Sequence, residues 1–427
     1  MKCGETPYPV PLTSTREDAG IDGLVGTRGD GMRLIRREVV AVVFSWLLCA
    51  LVVLHVYRPG DLILGNGDSV SHFGHALLFA RHGFDVYRKP SKTFCHVRNT
   101  DAAHAYTRAS SVPECDICEA QGGEGTRPFF VNWQDFPQPY PPGSLLYSAP
   151  EAWLFADTSA SLRAISVFTR LKYLCAAHFL LWLLFRVLFE KSPRAPGVYD
   201  WLLAGLFALL YCEIIKWSLS GMYDPLAIAA VVLGVYYLSR QRGADALLAL
   251  SVGLFFHYRA LWYAPLFGVA LFQFWKDRKA AGSRVALAIK IAIAAALVGV
   301  SLYPFLLLYP SLRGFPDTNA ILYKRLTLRG QNTWDFAVPL VFIFAYVARA
   351  RHWRLLLTIA WQCFVLVMTP QTMAWHALFL IPVLVMARLT DDPGALFAAT
   401  GFYWLEAQLI FGTSMLPGQL ISAALSP

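Results

Sequence analysis

The sequence predicts an all-α polytopic membrane protein of about ten or eleven transmembrane helices, with a long first outer loop that carries surface helices. Three observations predict it. Hydrophobic residues make up 56% of the 427 positions and charged residues only 15%, outside the range of ordinary soluble domains. The apolar residues come in blocks rather than stripes, which points to lipid as the solvent. Lys and Arg, finally, collect in every second connection between those blocks.

A polar tail rich in Arg, Gly, Pro and Thr occupies residues 1–38. No small-residue cleavage site follows the first apolar block, so that block reads as a retained span rather than a signal peptide. The membrane domain then covers residues 39–412, including an outer loop at 58–164, and residues 413–427 form a C-terminal tail. Within it the candidate spans are Val39–Tyr57, Tyr173–Phe189, Trp201–Ser218, Met222–Ser239, Ala244–His257, Leu261–Trp275, Val285–Tyr309, Phe336–Ala348, Leu355–Thr369, Met373–Ala387 and Ala395–Gly412. Several fall short of the roughly 20 residues a lone helix needs, which is tolerable where neighbours bury them or a polar cavity adjoins them.

The basic loop clusters are Arg186/Lys191/Arg194, Arg240/Arg242, Lys276/Arg278/Lys279/Arg284 and Arg349/Arg351/Arg354. The positive-inside rule assigns them, with the N-terminus, to the cytoplasm. A net charge of +9 then follows from topology and is weak ground for nucleic-acid binding, for which no signature is present. Every cluster with chemical promise falls on the opposite side: Leu62–Ala164, the Ser218–Tyr223 turn, His257–Arg259, Pro310–Asp335 and Pro370–Thr372. One face anchors and the other works.

The working face opens with "GDSVSHFGHALLFARHGFDVY", from Gly67 to Tyr87. At about 100° per residue, Asp68, His72, His75 and His82 share one sector, with Phe73, Leu77 and Phe84 roughly opposite. Such a helix lies along the membrane surface with its apolar side down. Asp68 in "NGDS" is also good N-cap chemistry, and Asp68/His72/His75 has spacing that a metal site could use. The same loop ends in "NWQDFPQPYPPGSLLYSAPEAWLF", where the prolines impose an extended approach and a short apolar helix follows.

Farther on, "SLSGMYDPLAI" sets Asp224 near the outer end of a span, where an acid is functional, paired, or a helix start. Glu213 and Lys216, at i, i+3, have each other as partners. "FFHYRALWYAP" puts His257 and Arg259 at an outer turn, and "ILYKRLTLRGQNTWDF" contributes Arg325 and Arg329. "TPQTMAWHALFLIPVL" sets Gln371 and His376 at the outer end of a late span, where belt or packing roles compete with ligand binding. Arginines on this side run against topological bias. Phosphate recognition by the guanidinium fork is one explanation and a lipid-headgroup contact is the other.

Four segments in this order resemble the integral-membrane glycosyltransferases of the C-type fold, which take a sugar from a polyprenyl-phosphate carrier. The acid, helix and "HGFDVYR" look like their first outer loop. "PYPPGSLLYSAP" is similar to the Tyr-Pro-Pro-Leu or Tyr-Thr-Pro-Leu element of bacterial polyprenyl-phosphate-mannose transferases and GPI mannosyltransferases. "RGQNTWDFAVPL" and "QTMAWHALFLIPVL" are similar to their Arg-Gly and Gln-aromatic-Pro segments. The resemblance implies that a hexose such as mannose passes from a polyprenyl-phosphate-linked sugar to a hydroxyl of a glycan or lipid acceptor on the non-cytoplasmic face. Asp68 would be the base, with His72, Tyr140, Asp224, His257, Arg259, Arg325, Arg329, Gln371 and His376 binding substrate. Many relatives carry paired acids where this chain reads "GNGDS", so the reaction is expected to need no cofactor, with a divalent metal as the alternative. Expected partners are the lipid-linked sugar, the acceptor and membrane lipid. The expected location is a bacterial inner membrane with a periplasmic site, or the endoplasmic reticulum. A transporter or lipid flippase is the rival function, although no inverted repeat is visible.

Cys95, Cys115 and Cys118 share the long loop, with His96 and His104 nearby. A disulfide from Cys95 to one of the others is the default in an oxidising compartment, and a three-Cys, one-His zinc site is the rival.

Overall fold

The computed structural model describes residues 28–56, 67–98, 116–120, 129–131, 140–155, 162–189, 198–219, 223–277, 284–312, 334–368 and 374–406. Among these described residues thirteen α-helices occur. They are α1 (Arg28–Val56), α2 (Gly67–His82), α3 (Pro142–Phe155), α4 (Leu162–Phe189), α5 (Val198–Leu219), α6 (Asp224–Ser239) and α7 (Gly243–Phe256). They continue with α8 (Ala264–Asp277), α9 (Arg284–Leu312), α10 (Trp334–Arg349), α11 (Trp353–Met368), α12 (Ile381–Arg388) and α13 (Pro393–Glu406). The chain divides into two compact units, Met1–Leu48 and Cys49–Pro427.

The protein is an all-α polytopic membrane protein. Among the described residues, four helical windows are long and apolar enough to cross a bilayer: Glu38–His55, Val167–Phe189, Tyr199–Leu219 and Val285–Pro304. Five shorter apolar helices accompany them. Burial differs from helix to helix. On α9, Val285 is 71% exposed and Leu306 67%, with Ile289 and Ile293 also open, a stripe suited to lipid contact. The short α6 is enclosed instead, with Ala227, Ile228, Val231 and Val232 fully buried. Small residues make that enclosure possible: a Cβ on Gly234 would lie 2.8 Å from the Leu250 side chain, and one on Gly253 would lie 3.0 Å from that of Val231.

Three tight turns, at Gln241, Arg351 and Asp391, each place one residue at positive φ (60°, 59° and 58°) and reverse the chain between neighbouring helices. Arginine guanidinium groups satisfy carbonyls at three helix C-termini. Arg170 Nε donates to Leu219 O at 2.9 Å, Arg354 to Leu238 O at 3.1 Å, and Arg388 Nε to Leu188 O at 2.9 Å. Arg354 thus has a structural reason to sit where it does, beyond the topological one.

The long loop holds a small antiparallel sheet that its reading as a helical loop did not anticipate. Its strands are β1 (Cys95–Arg98), β2 (Asp116–Ala120) and β3 (Phe129–Val131), in the order β1-β2-β3. Cys95 pairs with Ala120 and Cys118 with Val97, so these two cysteines are diagonal neighbours rather than facing partners. Cys115 lies outside the described residues.

Where the wheel predicts one apolar and one polar face on α2, the structure covers both between His72 and Leu78 and leaves His82 exposed. His72 and His75 are buried along with Ala76, Leu77 and Leu78. A local core explains this: Leu77, Leu78, Val86, Tyr87, Leu145 and Ala152 pack together, flanked by Phe73, Phe79, Phe94 and Tyr140. Gly83, at φ 55°, permits the turn after α2 that brings Val86 and Tyr87 back onto it. The Tyr87 hydroxyl then donates to Tyr140 O at 2.8 Å and ties this turn to the start of α3.

Helix α3 meets α7 at Gly143, where a Cβ would lie 2.4 Å from the backbone oxygen of Phe255. Backbone cannot yield as a side chain can. Gly143→Ala is therefore expected to cost about 1–3 kcal/mol, read as a lower thermal midpoint of the purified protein in detergent. An unchanged midpoint would mean that α3 and α7 are not in this contact.

Candidate functional site

The site is assembled where α6 begins, α7 ends and α2 and α3 pack alongside. Pro225 supports the start of α6 with its preset φ, and Asp224 occupies the first helical residue, 1% exposed. Helix α7 ends at Phe256, and His257 takes an extended conformation (φ −152°, ψ 128°) before a 3-10 turn over Tyr258–Tyr263. That break directs His257 back towards α6. Its Nε2 lies 3.1 Å from Asp224 Oδ1, while its Nδ1 accepts the Arg259 amide at 3.0 Å. With Nδ1 engaged as acceptor, the proton of the neutral ring sits on Nε2, beside the carboxylate. Its acceptor nitrogen is occupied, which makes His257 an orienting group and a poor proton acceptor.

Aromatic rings extend the cluster. Tyr223 stacks on His257, with centroids 5.5 Å apart and planes at 26°. His72 packs edge-on against Tyr140 at 4.3 Å and against Tyr223 at 4.6 Å. Its Nδ1 is 3.4 Å from the Tyr173 hydroxyl. His72 Nε2 is buried without a hydrogen-bond partner among the described residues, a state that normally implies a bound group. The guanidinium of Arg259 lies over the Trp262 ring at 5.2 Å. Burial pushes its pKa down to about 9, with Asp224 resisting the shift, so it stays cationic at neutral pH.

Five of the sequence-predicted residues, His72, Tyr140, Asp224, His257 and Arg259, thus come together from four separate chain segments. Asp68 is the second residue of α2, one turn before His72, and its side chain lies outside the described residues. Arg325, Arg329 and Gln371 also lie outside them. His376 belongs to the 3-10 helix Ala374–Leu380, with its side chain again outside the described set. Phe379 of that helix reaches His257, at 4.8 Å between rings.

Sequence reasoning named His75 but missed Tyr173 and Tyr223, and a buried ion pair beside them. Lys172 of α4 pairs with Glu151 of α3, donates to Tyr147 O, and lies 4.3 Å from the Tyr147 ring. The signal was present: Lys172 sits inside an apolar helix, where a charge calls for a partner. Burial pushes the Glu151 carboxyl up, and the ammonium of Lys172 pulls it back down.

Burial also holds the His72 imidazole well below its ordinary value, helped by repulsion from His75, His257 and Lys172. Below pH of about 6.5 the unfolded chain takes up a proton here that the folded chain refuses, so stability is intact above that pH and falls beneath it, by about 1.4 kcal/mol per unit. Thermal midpoints measured between pH 7.5 and about 5 should fall, and His72→Gln should flatten the slope. An equal slope in the variant would assign the effect elsewhere.

Chemically the cluster offers one carboxylate, one guanidinium, a neutral imidazole with an open nitrogen, and several ring faces. No group of three or more His, Cys, Asp or Glu among the described residues is arranged to hold a metal ion. No protein-family model, curated protein or solved structure matches this chain.

Proposed function

We propose that the protein is a membrane glycosyltransferase that moves a hexose from a polyprenyl-phosphate carrier to an acceptor hydroxyl on the non-cytoplasmic face. The observation that carries this reading is the convergence of Arg259, Asp224–His257 and His72 in an aromatic-lined cluster beside the start of α2. A lipid-linked sugar phosphate needs a cation for the leaving phosphate, ring faces and hydrogen bonds for the sugar, and one carboxylate to take the acceptor proton. Arg259 is the cation. Tyr140 and Tyr223 supply rings, and His72 Nε2 is the open hydrogen-bonding group.

Asp68 is the proposed base. The acceptor nitrogen of His257 is occupied by the Arg259 amide, and Asp224 is buried against His257, so we assign the base to Asp68, one helical turn from His72. The acceptor hydroxyl gives its proton to Asp68 as its oxygen bonds to the anomeric carbon, and the polyprenyl phosphate departs with the bonding electrons. Arg325 and Arg329 remain proposed phosphate contacts, and Gln371 and His376 proposed sugar contacts.

The test is transfer by the full chain reconstituted in vesicles with a polyprenyl-phosphate hexose and a glycan or lipid acceptor. Release of polyprenyl phosphate matched by acceptor-bound sugar supports the proposal. Movement of the lipid across the bilayer with no new glycosidic bond would overturn it in favour of a flippase.

A further inference from the structure

At the far end of α6, about 22 Å from Asp224 at 1.5 Å per residue, a separate cavity opens around the last turn of that helix. Its volume is about 390 Å³. Val235, Leu238, Leu355 and Met386 give it an apolar wall, and Arg351 and Arg354 stand at its polar margin. Among the described residues no acid lines it. Two acids that follow Thr390 in the chain are engaged: Asp392 accepts from His352 at 2.8 Å and from Tyr346, and Asp391 is paired with Arg388 at 3.2 Å.

We propose that this cavity binds the phosphate headgroup of an anionic bilayer phospholipid, with an acyl chain along the apolar wall. Two features favour a bilayer lipid over a free anion. The wall is hydrocarbon, which a small hydrated phosphate has no use for. The helix that supplies both arginines' neighbourhood, α11, also turns Trp353 (63% exposed) and Leu357 (49%) outward in the manner of lipid-facing residues. Arg351 lies at the apex of the α10–α11 turn, exposed and held there by its positive φ of 59°. Arg354 spends one N–H on Leu238 O, and a guanidinium carries five donors. Basic pockets between helices, with hydrocarbon beside them, are where acidic lipid headgroups bind.

The experiment titrates the full-length protein in detergent with phosphatidylglycerol, phosphatidylcholine and inorganic phosphate, read by native mass spectrometry. Arg351→Glu, Arg351→Lys and Arg240→Glu are compared; Arg351 is the chosen position because Arg354 also caps α6. Retention of phosphatidylglycerol over phosphatidylcholine is expected, weakened about tenfold or more by Arg351→Glu and largely kept by Arg351→Lys. Arg240→Glu, at the same end but outside the cavity, should leave it unchanged. The proposal is overturned if both lipids bind alike, if Arg240→Glu weakens binding as much as Arg351→Glu, or if inorganic phosphate displaces the lipid.

Discussion

Asp68→Asn is expected to reduce sugar transfer by about 10²–10⁴-fold while leaving the thermal midpoint of the protein where it was. The substitution separates two roles that the sequence leaves superimposed. Asn differs from Asp only by an amide in place of a carboxylate, so the first turn of α2, where residue 68 sits, keeps its shape. What Asn lacks is the capacity to take a proton from the acceptor hydroxyl. Asp68→Ala should lose transfer to the same extent. The measurement is the initial rate of hexose transfer at saturating donor, alongside unfolding in the same detergent. Full activity in the Asn variant would remove Asp68 from the chemistry.

Glu151→Gln is expected to produce the largest loss of stability, about 3–5 kcal/mol, because it strands the Lys172 ammonium in the interior. Glu151 is 1% exposed and Lys172 lies against Tyr147 and Tyr173, so water cannot replace the lost carboxylate. The damage should also reach the candidate site, since Tyr173 is 3.4 Å from His72 Nδ1. The double variant Glu151→Met/Lys172→Met, which removes both charges, should recover much of the stability. The thermal midpoints of the three proteins decide the matter: a single variant as stable as the parent would mean that the pair is hydrated.

The comparison of sequence and structure is instructive at particular residues. Each of the eleven expected spans overlaps a helix among the described residues, Met373–Ala387 through a 3-10 turn followed by α12, because stretches of 13 to 25 mostly apolar residues have few other fates. His257 and Arg259 were visible because they interrupt an apolar pattern between two helices. Their partner was not. Nothing local says that His257 would meet Asp224 across the α6–α7 hairpin or Tyr223 beside it, since those contacts depend on how closely two helices approach. The sheet was missed for a similar reason: β1 and β2 are short, and their pairing connects residues 19 to 25 positions apart.

The amino-acid order alone determined the membrane class, the approximate positions of the apolar helices, and which connections collect arginine. These follow from the cost of exposing polar backbone to hydrocarbon and from the bias of charge across a bilayer, both of which act on local composition. Tertiary packing decided the rest. It buried His72 and His75 of α2, joined Lys172 to Glu151, and brought Tyr223 beside the Asp224–His257 pair against His72, because side-chain partners are chosen by the distance between elements that sequence periodicity does not encode.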